Sequence, residues 1–236
     1  MPAEAPLVSV VIRSMDREHL GRALASIAAQ DVESAEVLVI DAKGGHRLLV
    51  SHCGRFPIKL VRAERALQRA DAANVGLLVA SGEYIYFLDD DDEALPGAIS
   101  SLIAKARATP GAGLAHGRAE VVDASGKVMH YYGSPFQREK RLAYGFFGFG
   151  AFVMSRELVA RGARLDPGLE ILEDLEFFAQ LSELTGFAYL DRPVQRYWSD
   201  AGTSGAGIGA NQDPAKVARA LAYIQSKWAA RDAPAA

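Results

Sequence analysis

The run Tyr84-Ile-Tyr-Phe-Leu-Asp-Asp-Asp-Asp-Glu93 constrains the fold more than any other stretch, because an apolar segment of strand length opens directly onto five consecutive carboxylates. Ile85, Phe87 and Leu88 read as a central strand covered on both faces. The strand therefore lies inside the molecule and its acidic tip at the surface. Adjacent like charges raise one another's pKa unless a cation compensates them, so the pattern points to a bound divalent metal. Asp89 and Asp91 fall on the same side of an extended chain, about 6–7 Å apart, and a single ion reaches both through a turn or a bridging water. Asp92 and Glu93 read more simply as a solvated loop and a cap for a helix starting near Leu95-Pro96.

Around this strand the chain alternates. Leu7–Ile12 is β-branched and of strand length, and Arg13-Ser-Met-Asp16 after it suits a turn and a helix N-cap. Leu20, Leu24, Ile27 and Ala28 recur at helical spacing. A second strand, Ala35–Ile40, ends on Asp41, Ile58–Val61 is a third, and Ala70–Ala80 is a helix closed by Gly82. Strands separated by helices predict an α/β fold with a mostly parallel central sheet flanked by helices and joined by right-handed crossovers. Ligands collect at the carboxyl ends of such strands, where Ser14, Asp16, Asp41, Asp89 and Asp91 fall.

The second half is mixed. A helix from Leu95 to Ala108 leads to a hairpin, Leu114–Val122 and Val128–Tyr132, turning at Asp123–Gly126. Tyr144–Val153 mixes aromatics with glycines, chemistry that suits either backbone lying against a ligand or a tight core turn. Glu170–Glu176 leads a helix in which Asp174, Phe177, Phe178, Leu181 and Thr185 share a face. Asp174 thus points inward with the apolar stripe and Glu173 faces elsewhere. Phe187–Leu190 is a short strand, Pro193–Trp198 an edge segment, Gly202–Gly209 a loop suited to a lid, and Pro214–Trp228 a closing helix whose Val217, Leu221, Ile224 and Trp228 form a packing stripe.

Composition narrows the function. The 236 residues, half of them apolar, suit one domain, and no Pro-, Gly- or Ser-rich linker divides it. A net charge of −3 gives no basic footprint for nucleic acid. Cys53 is the sole cysteine, which excludes intramolecular disulfides and thiolate zinc sites, and the histidines show no metal spacing. Met1–Pro6 lacks the regions of a signal peptide and no apolar run approaches spanning length, so the expected location is cytoplasmic or loosely at a membrane face. Arg138, Lys140 and Arg141 read as a solvated basic loop.

Taken together these segments resemble family 2 glycosyltransferases, enzymes with the Rossmann-like GT-A fold, over roughly residues 7–198. Val8–Arg17 is similar to the family's opening strand and turn, Val-Ser-Val-Ile-Ile-Pro-Thr-Tyr-Asn-Arg. Leu38-Val-Ile-Asp41 resembles the second strand, whose terminal Asp reads the nucleobase. Ala72-Ala-Asn-Val-Gly76 resembles the Asn-x-Gly helix, Asp89–Asp92 the Asp-x-Asp metal motif, and Ile171–Phe177 the Glu-Asp segment that supplies the base. Departures are Arg13 and Met15 for the family's Pro and Tyr, Ala-Lys-Gly after Asp41, and Ala73 for an Arg, with Arg69 as its stand-in. The histidine many relatives place near Trp198 is missing, with Asp200 as the substitute.

The resemblance implies an inverting, metal-dependent hexosyltransferase. On that reading Asp89 and Asp91 hold Mn²⁺ or Mg²⁺, and Asp174 is the general base. Ser14, Asp16, Asp41, Arg69, Asn74, Asp89 and Asp90 bind the donor, a UDP-sugar first of all. Phe147, Gly148, Phe149 and Glu173 line the acceptor side, which takes a glycan, a lipid-linked saccharide or a small metabolite, in bacterial surface polysaccharide synthesis at the inner face of the membrane. Residues 7–123 form the donor half, 124–200 the acceptor half, and 201–236 a loop and helix. Rival readings are a noncatalytic nucleotide-sugar scaffold and a nucleotidyltransferase; the latter needs a glycine-rich loop after the first strand, which Arg13–Asp16 lacks.

Overall fold

The computed structural model describes residues 5–45, 50–143, 146–199 and 213–232. Val8–Ser14 forms β1 and every residue of it is buried, as is the apolar part of Tyr84–Asp89, β5. Between them come α1 (Leu20–Ala28), β2 (Ala35–Asp41), β3 (His52–Cys53), β4 (Phe56–Val61) and α2 (Arg69–Val79). β4, β2, β1 and β5 lie side by side and parallel, with Val8 opposite both Ala35 and Tyr84. A strand flanked on both edges and both faces has no solvated side, so its sequence is a continuous apolar run. Each fully buried Val, Leu, Ile or Phe stabilises by about 1.5–3 kcal/mol.

The rest of the sheet is mixed. β6 (Glu93–Ala94), α3 (Ala98–Ala108), β7 (Ala112–Val122), β8 (Val128–Tyr132), β9 (Phe152–Ser155), α4 (Glu157–Ala160), α5 (Glu173–Leu184), β10 (Gly186–Trp198) and α6 (Pro214–Asp232) follow in order. The strands run β3-β4-β2-β1-β5-β9-β7-β10-β6, and β8 folds back on β7. β9 is antiparallel to β5 and β7, while β10 is parallel to β7. The β7–β8 hairpin forms as the sequence predicts, its turn fastened by the Asp123 carboxylate, which accepts the Ser125 and Lys127 amides.

Three local expectations change. Phe187–Trp198 is not a short strand plus an edge segment: β10 is one strand held between β7 and β6. Pro193 is tolerated there because it sits at register shifts opposite Arg118, where a bulge removes the need for its missing amide hydrogen. The helix expected from Leu95 begins only at Ala98, since Glu93 and Ala94 pair with Arg196 and Gln195. Finally, neither Ser14 nor Asp16 caps α1; His19 holds the N-cap position with no side-chain bond, and the two residues build the preceding turn instead.

Two contacts set helices onto the sheet. A Cβ at Gly76 would lie 2.3 Å from Val11 Cγ1, so glycine alone lets α2 sit this close to β1. The α6 stripe packs as expected, with Ala220, Ile224 and Trp228 closing a second small core over Leu169, Ile171, Leu172, Leu175 and Ala179. Lys227 reinforces it by pairing with Asp166 at 2.6 Å and with the fully buried Glu176 at 2.8 Å. Among the described residues no helix is long and apolar enough to cross a membrane.

Candidate active site

β1 and β5 deliver their polar tips side by side, with Arg13 opposite Asp89. The backbone turns tightly after Asp89, the Asp92 amide bonding to the Asp89 carbonyl at 3.2 Å. That turn gathers one carboxylate oxygen each of Asp89, Asp91 and Asp92 within 4.8 Å of one another. The trio includes Asp92, which the sequence reading left as loop. Asp90 points the other way: fully buried, it accepts from Ser14 Oγ at 3.0 Å, the Met15 amide at 2.7 Å and Arg17 at 2.7 Å. Asp90 and the equally buried Ser14 buttress the turn over residues 14–17 from behind. Asp16 closes that turn in left-handed backbone (φ 58°) and meets Lys43 at 3.2 Å.

Two guanidiniums that the sequence reading did not place in the site organise the tip. Arg13 is 6 % exposed and grips Asp89 with both prongs, Nε to Oδ1 at 2.7 Å and Nη2 to Oδ2 at 2.9 Å. Its Nη1 bonds to Glu173 at 3.0 Å and its plane lies 4.1 Å from the Phe149 ring centre. Arg17 spans Asp90 and Asp91. Burial pushes Asp89 up, but the charge and hydrogen bonds of Arg13 outweigh it and hold Asp89 below the usual carboxylate range. Asp91 is raised by burial and then by Asp89, and Asp92 well above its ordinary value by burial and then by Asp91 and Asp89. Asp89, Asp90, Asp91 and Glu173 meet the guanidiniums of Arg13, Arg17 and the more distant Arg69, 3.9 Å from Glu173, and Asp92 adds a fifth acid beside them. The surplus of negative charge and the all-oxygen donor set fit a hard divalent cation.

Asp174 opens α5. Leu172 ahead of it adopts left-handed backbone (φ 61°), and no side chain caps the helix. The consequence reverses the expected orientation: Glu173 turns inward onto Arg13 at 2 % exposure, while Asp174 is only half-buried. Glu173 is thus an ion-pair partner of Arg13 inside the site. Asp174 lines a shallow groove open to solvent, together with Tyr132, Phe136, Phe146, Phe147 and Phe178. Burial and then the neighbouring Glu173 charge push its pKa up to about 6, against the opposing pull of the Leu175 amide, Arg69 and Arg13. Burial wins over the helix N-terminus.

The glycine-aromatic stretch packs tightly, the second of the two arrangements its sequence suits. Phe147 lines the groove, but Phe149 stacks on Arg13 and Phe87. Cβ atoms at Gly148 and Gly150 would lie 2.9 Å from Oε1 and 2.5 Å from Nε2 of Gln195. The two glycines make room for that amide, which donates to Asp92 at 2.7 Å. Asn74 is stapled to Leu165: its amide nitrogen donates to the Leu165 carbonyl and its amide oxygen accepts the Leu165 amide, both at 2.9 Å. Asp41 is buried and accepts the Gly44 and Gly45 amides at 2.7 and 2.8 Å, shaping the loop after β2. Arg69 is half-buried beside Glu173. Asp200, the Gly202–Gly209 loop, Tyr144 and Gly145 lie outside the described residues.

A family model described as glycosyl transferase family 2 matches residues 9–161, the span from β1 into the loop after α4. The chain belongs to glycosyl transferase family 2. An uncharacterized glycosyltransferase of Haemophilus influenzae is 23 % identical over 77 % of this chain and 64 % of its own length. A GalNAc(5)-diNAcBac-PP-undecaprenol beta-1,3-glucosyltransferase of Campylobacter jejuni is 36 % identical over 43 % of this chain and 35 % of its own. The chain thus spans about a third to two thirds of these curated relatives. Among solved structures, S. aureus TarS 1–349 in complex with UDP-GlcNAc superposes with a TM-score of 0.69 at 16 % identity, covering 92 % of this chain and 66 % of that one. The mannosyltransferase PcManGT of Pyrobaculum calidifontis in complex with GDP-Man and Mn²⁺ gives 0.63 at 18 %, covering all of this chain and 67 % of that one. Both share the fold.

Arg13 is one of the positions at which the chain departs from the family pattern it resembles, and its guanidinium grips Asp89 and reaches α5. The signal was present in the sequence, a charged residue at the end of an otherwise apolar strand, but its partners were not.

Proposed function

We propose that the chain is an inverting, metal-dependent glycosyltransferase that moves a sugar from a nucleotide-sugar donor to an acceptor hydroxyl. The observation carrying this reading is a carboxylate trio at the tip of β5 joined through Arg13 and Glu173 to Asp174, a groove-lining carboxylate raised to about 6. Residues 7–123 form the donor side and 124–200 the acceptor side. Asp89, Asp91 and Asp92 would hold Mn²⁺ or Mg²⁺, which supplies charge neutralisation for the departing diphosphate when bound. Asp16 and Lys43, at the turn after β1 and the loop after β2, face the nucleoside, and Arg69 faces the diphosphate.

Asp174 accepts the proton of the acceptor hydroxyl as that oxygen attacks the anomeric carbon. The bond from this carbon to the diphosphate oxygen breaks, and the nucleoside diphosphate leaves with the electron pair. A separate base without a covalent nucleophile makes the displacement single and inverting. The aromatic groove suits a sugar ring. The names of relatives acting on undecaprenol-linked saccharides support a glycan or lipid-linked acceptor met at the inner face of the membrane, and the bound ligand of TarS supports a UDP-sugar.

Calorimetric titration with UDP, GDP, dTDP and CDP, each with and without Mn²⁺, tests the donor half of the reading. Manganese-dependent binding of one nucleotide is expected. Absence of binding by folded protein would instead favour a scaffold that retains the fold without the donor site.

A further inference from the structure

We propose that Arg13 is a positioning residue that sets Asp174 relative to the donor site by clamping Asp89 to Glu173; this rests on Asp174 being the base. Three features of the structure converge on it. The first is the shape of the guanidinium, whose fork places one pair of donors on Asp89 and turns the remaining nitrogen to Glu173 at 3.0 Å and to the Arg69 carbonyl at 3.5 Å. One side chain at the end of β1 thereby touches β5, α2 and α5. A lysine ammonium, a point charge, does not reach this set of acceptors together.

The second is the weakness of α5 at its start. Leu172 is a non-glycine residue in left-handed backbone, and the helix has no side-chain cap. Such strain persists only where the surroundings over-determine it. Packing of Leu172 in the second core is one restraint, and the buried Arg13–Glu173 pair is the polar one. Asp174 bonds to the amide of its own neighbour, Leu175, so its orientation is inherited from the turn that Glu173 fixes. The third is burial. Arg13 is 6 % and Glu173 2 % exposed, with Phe149 covering the guanidinium face, so the clamp is shielded from water and its geometry is not averaged by solvent exchange.

The test uses Glu173→Gln and Arg13→Lys in the full chain, read by amide hydrogen exchange and by kinetics. Exchange of the amides at 172–176 is expected to speed about tenfold or more in both variants, while β1 and β2 amides stay protected. In Glu173→Gln, kcat should fall about tenfold while affinity for UDP with Mn²⁺ stays within about threefold. The double variant should be no worse than the poorer single one, because both remove the same clamp. Unchanged exchange at 172–176 in both variants, or fully additive kinetic losses, would overturn the proposal. Exchange does not require turnover: a wild-type protein that transfers no sugar would sink the proposed function, whereas the exchange result would still decide the clamp.

Discussion

At the tip of β5 side chains are held by charge, with Arg13 on Asp89 and Glu173, Arg17 on Asp90 and Asp91, and every bond 3.1 Å or shorter. Around the groove they are held by rings: Phe147 lies 4.1 Å from both His116 and Phe178, and Phe136 lies 4.4 Å from Phe187. Even the titratable member of that cluster is neutral, since burial pushes the His116 imidazolium down to about 3. The contrast teaches where each kind of perturbation should act. Changes of cation or charge should act at the strand tip and the donor, and changes of shape at the groove and the acceptor. Asp174, standing where the two regions meet, should answer to both.

The largest effect expected is at that meeting point. D174N should lower kcat by about 10³-fold, within the range for loss of a general base, with UDP and Mn²⁺ affinity unchanged by calorimetry. Equal loss of binding would move Asp174 to the donor side and break the division. At the charged end, D91A should weaken manganese-dependent UDP binding by about 100-fold, and a loss confined to kcat would remove Asp91 from the cation site. The pH profile comes next. A base raised to about 6 is protonated below that value, so kcat should fall about tenfold per unit of pH on the acid side and level off above it. Smallest is Y132A at the groove, expected to raise acceptor KM several-fold, about 1 kcal/mol, without moving UDP affinity.

What could be read from the sequence follows the distance over which each residue finds its partners. The parallel strands, the acidic tip and the start of α5 were legible because period and local chemistry declare them within one segment. The clamp was not, because Arg13 and Glu173 are 160 residues apart, and a lone charge at a strand end does not name its partner. Gln195 and Asp92, 103 apart, left no trace at all. Asn74, read for a donor role, and Gly76 of the same motif make contacts that the sequence did not name: a staple to Leu165 and a close approach to Val11. The glycines at 148 and 150, in a stretch suited to a ligand's approach or a tight core turn, lie against the Gln195 amide.

That last arrangement reaches beyond this one molecule. Because the Gln195 amide occupies the space that side chains at 148 and 150 would take, the three positions cannot drift independently over evolutionary time. A descendant that gains an alanine at 148 or 150 must move the Gln195 amide aside or shorten residue 195, and either way it disturbs the donor that reaches Asp92. Ancestry at these positions should therefore be inherited as a block, glycine with glutamine, and exchanged as a block where the lineage abandons that hydrogen bond.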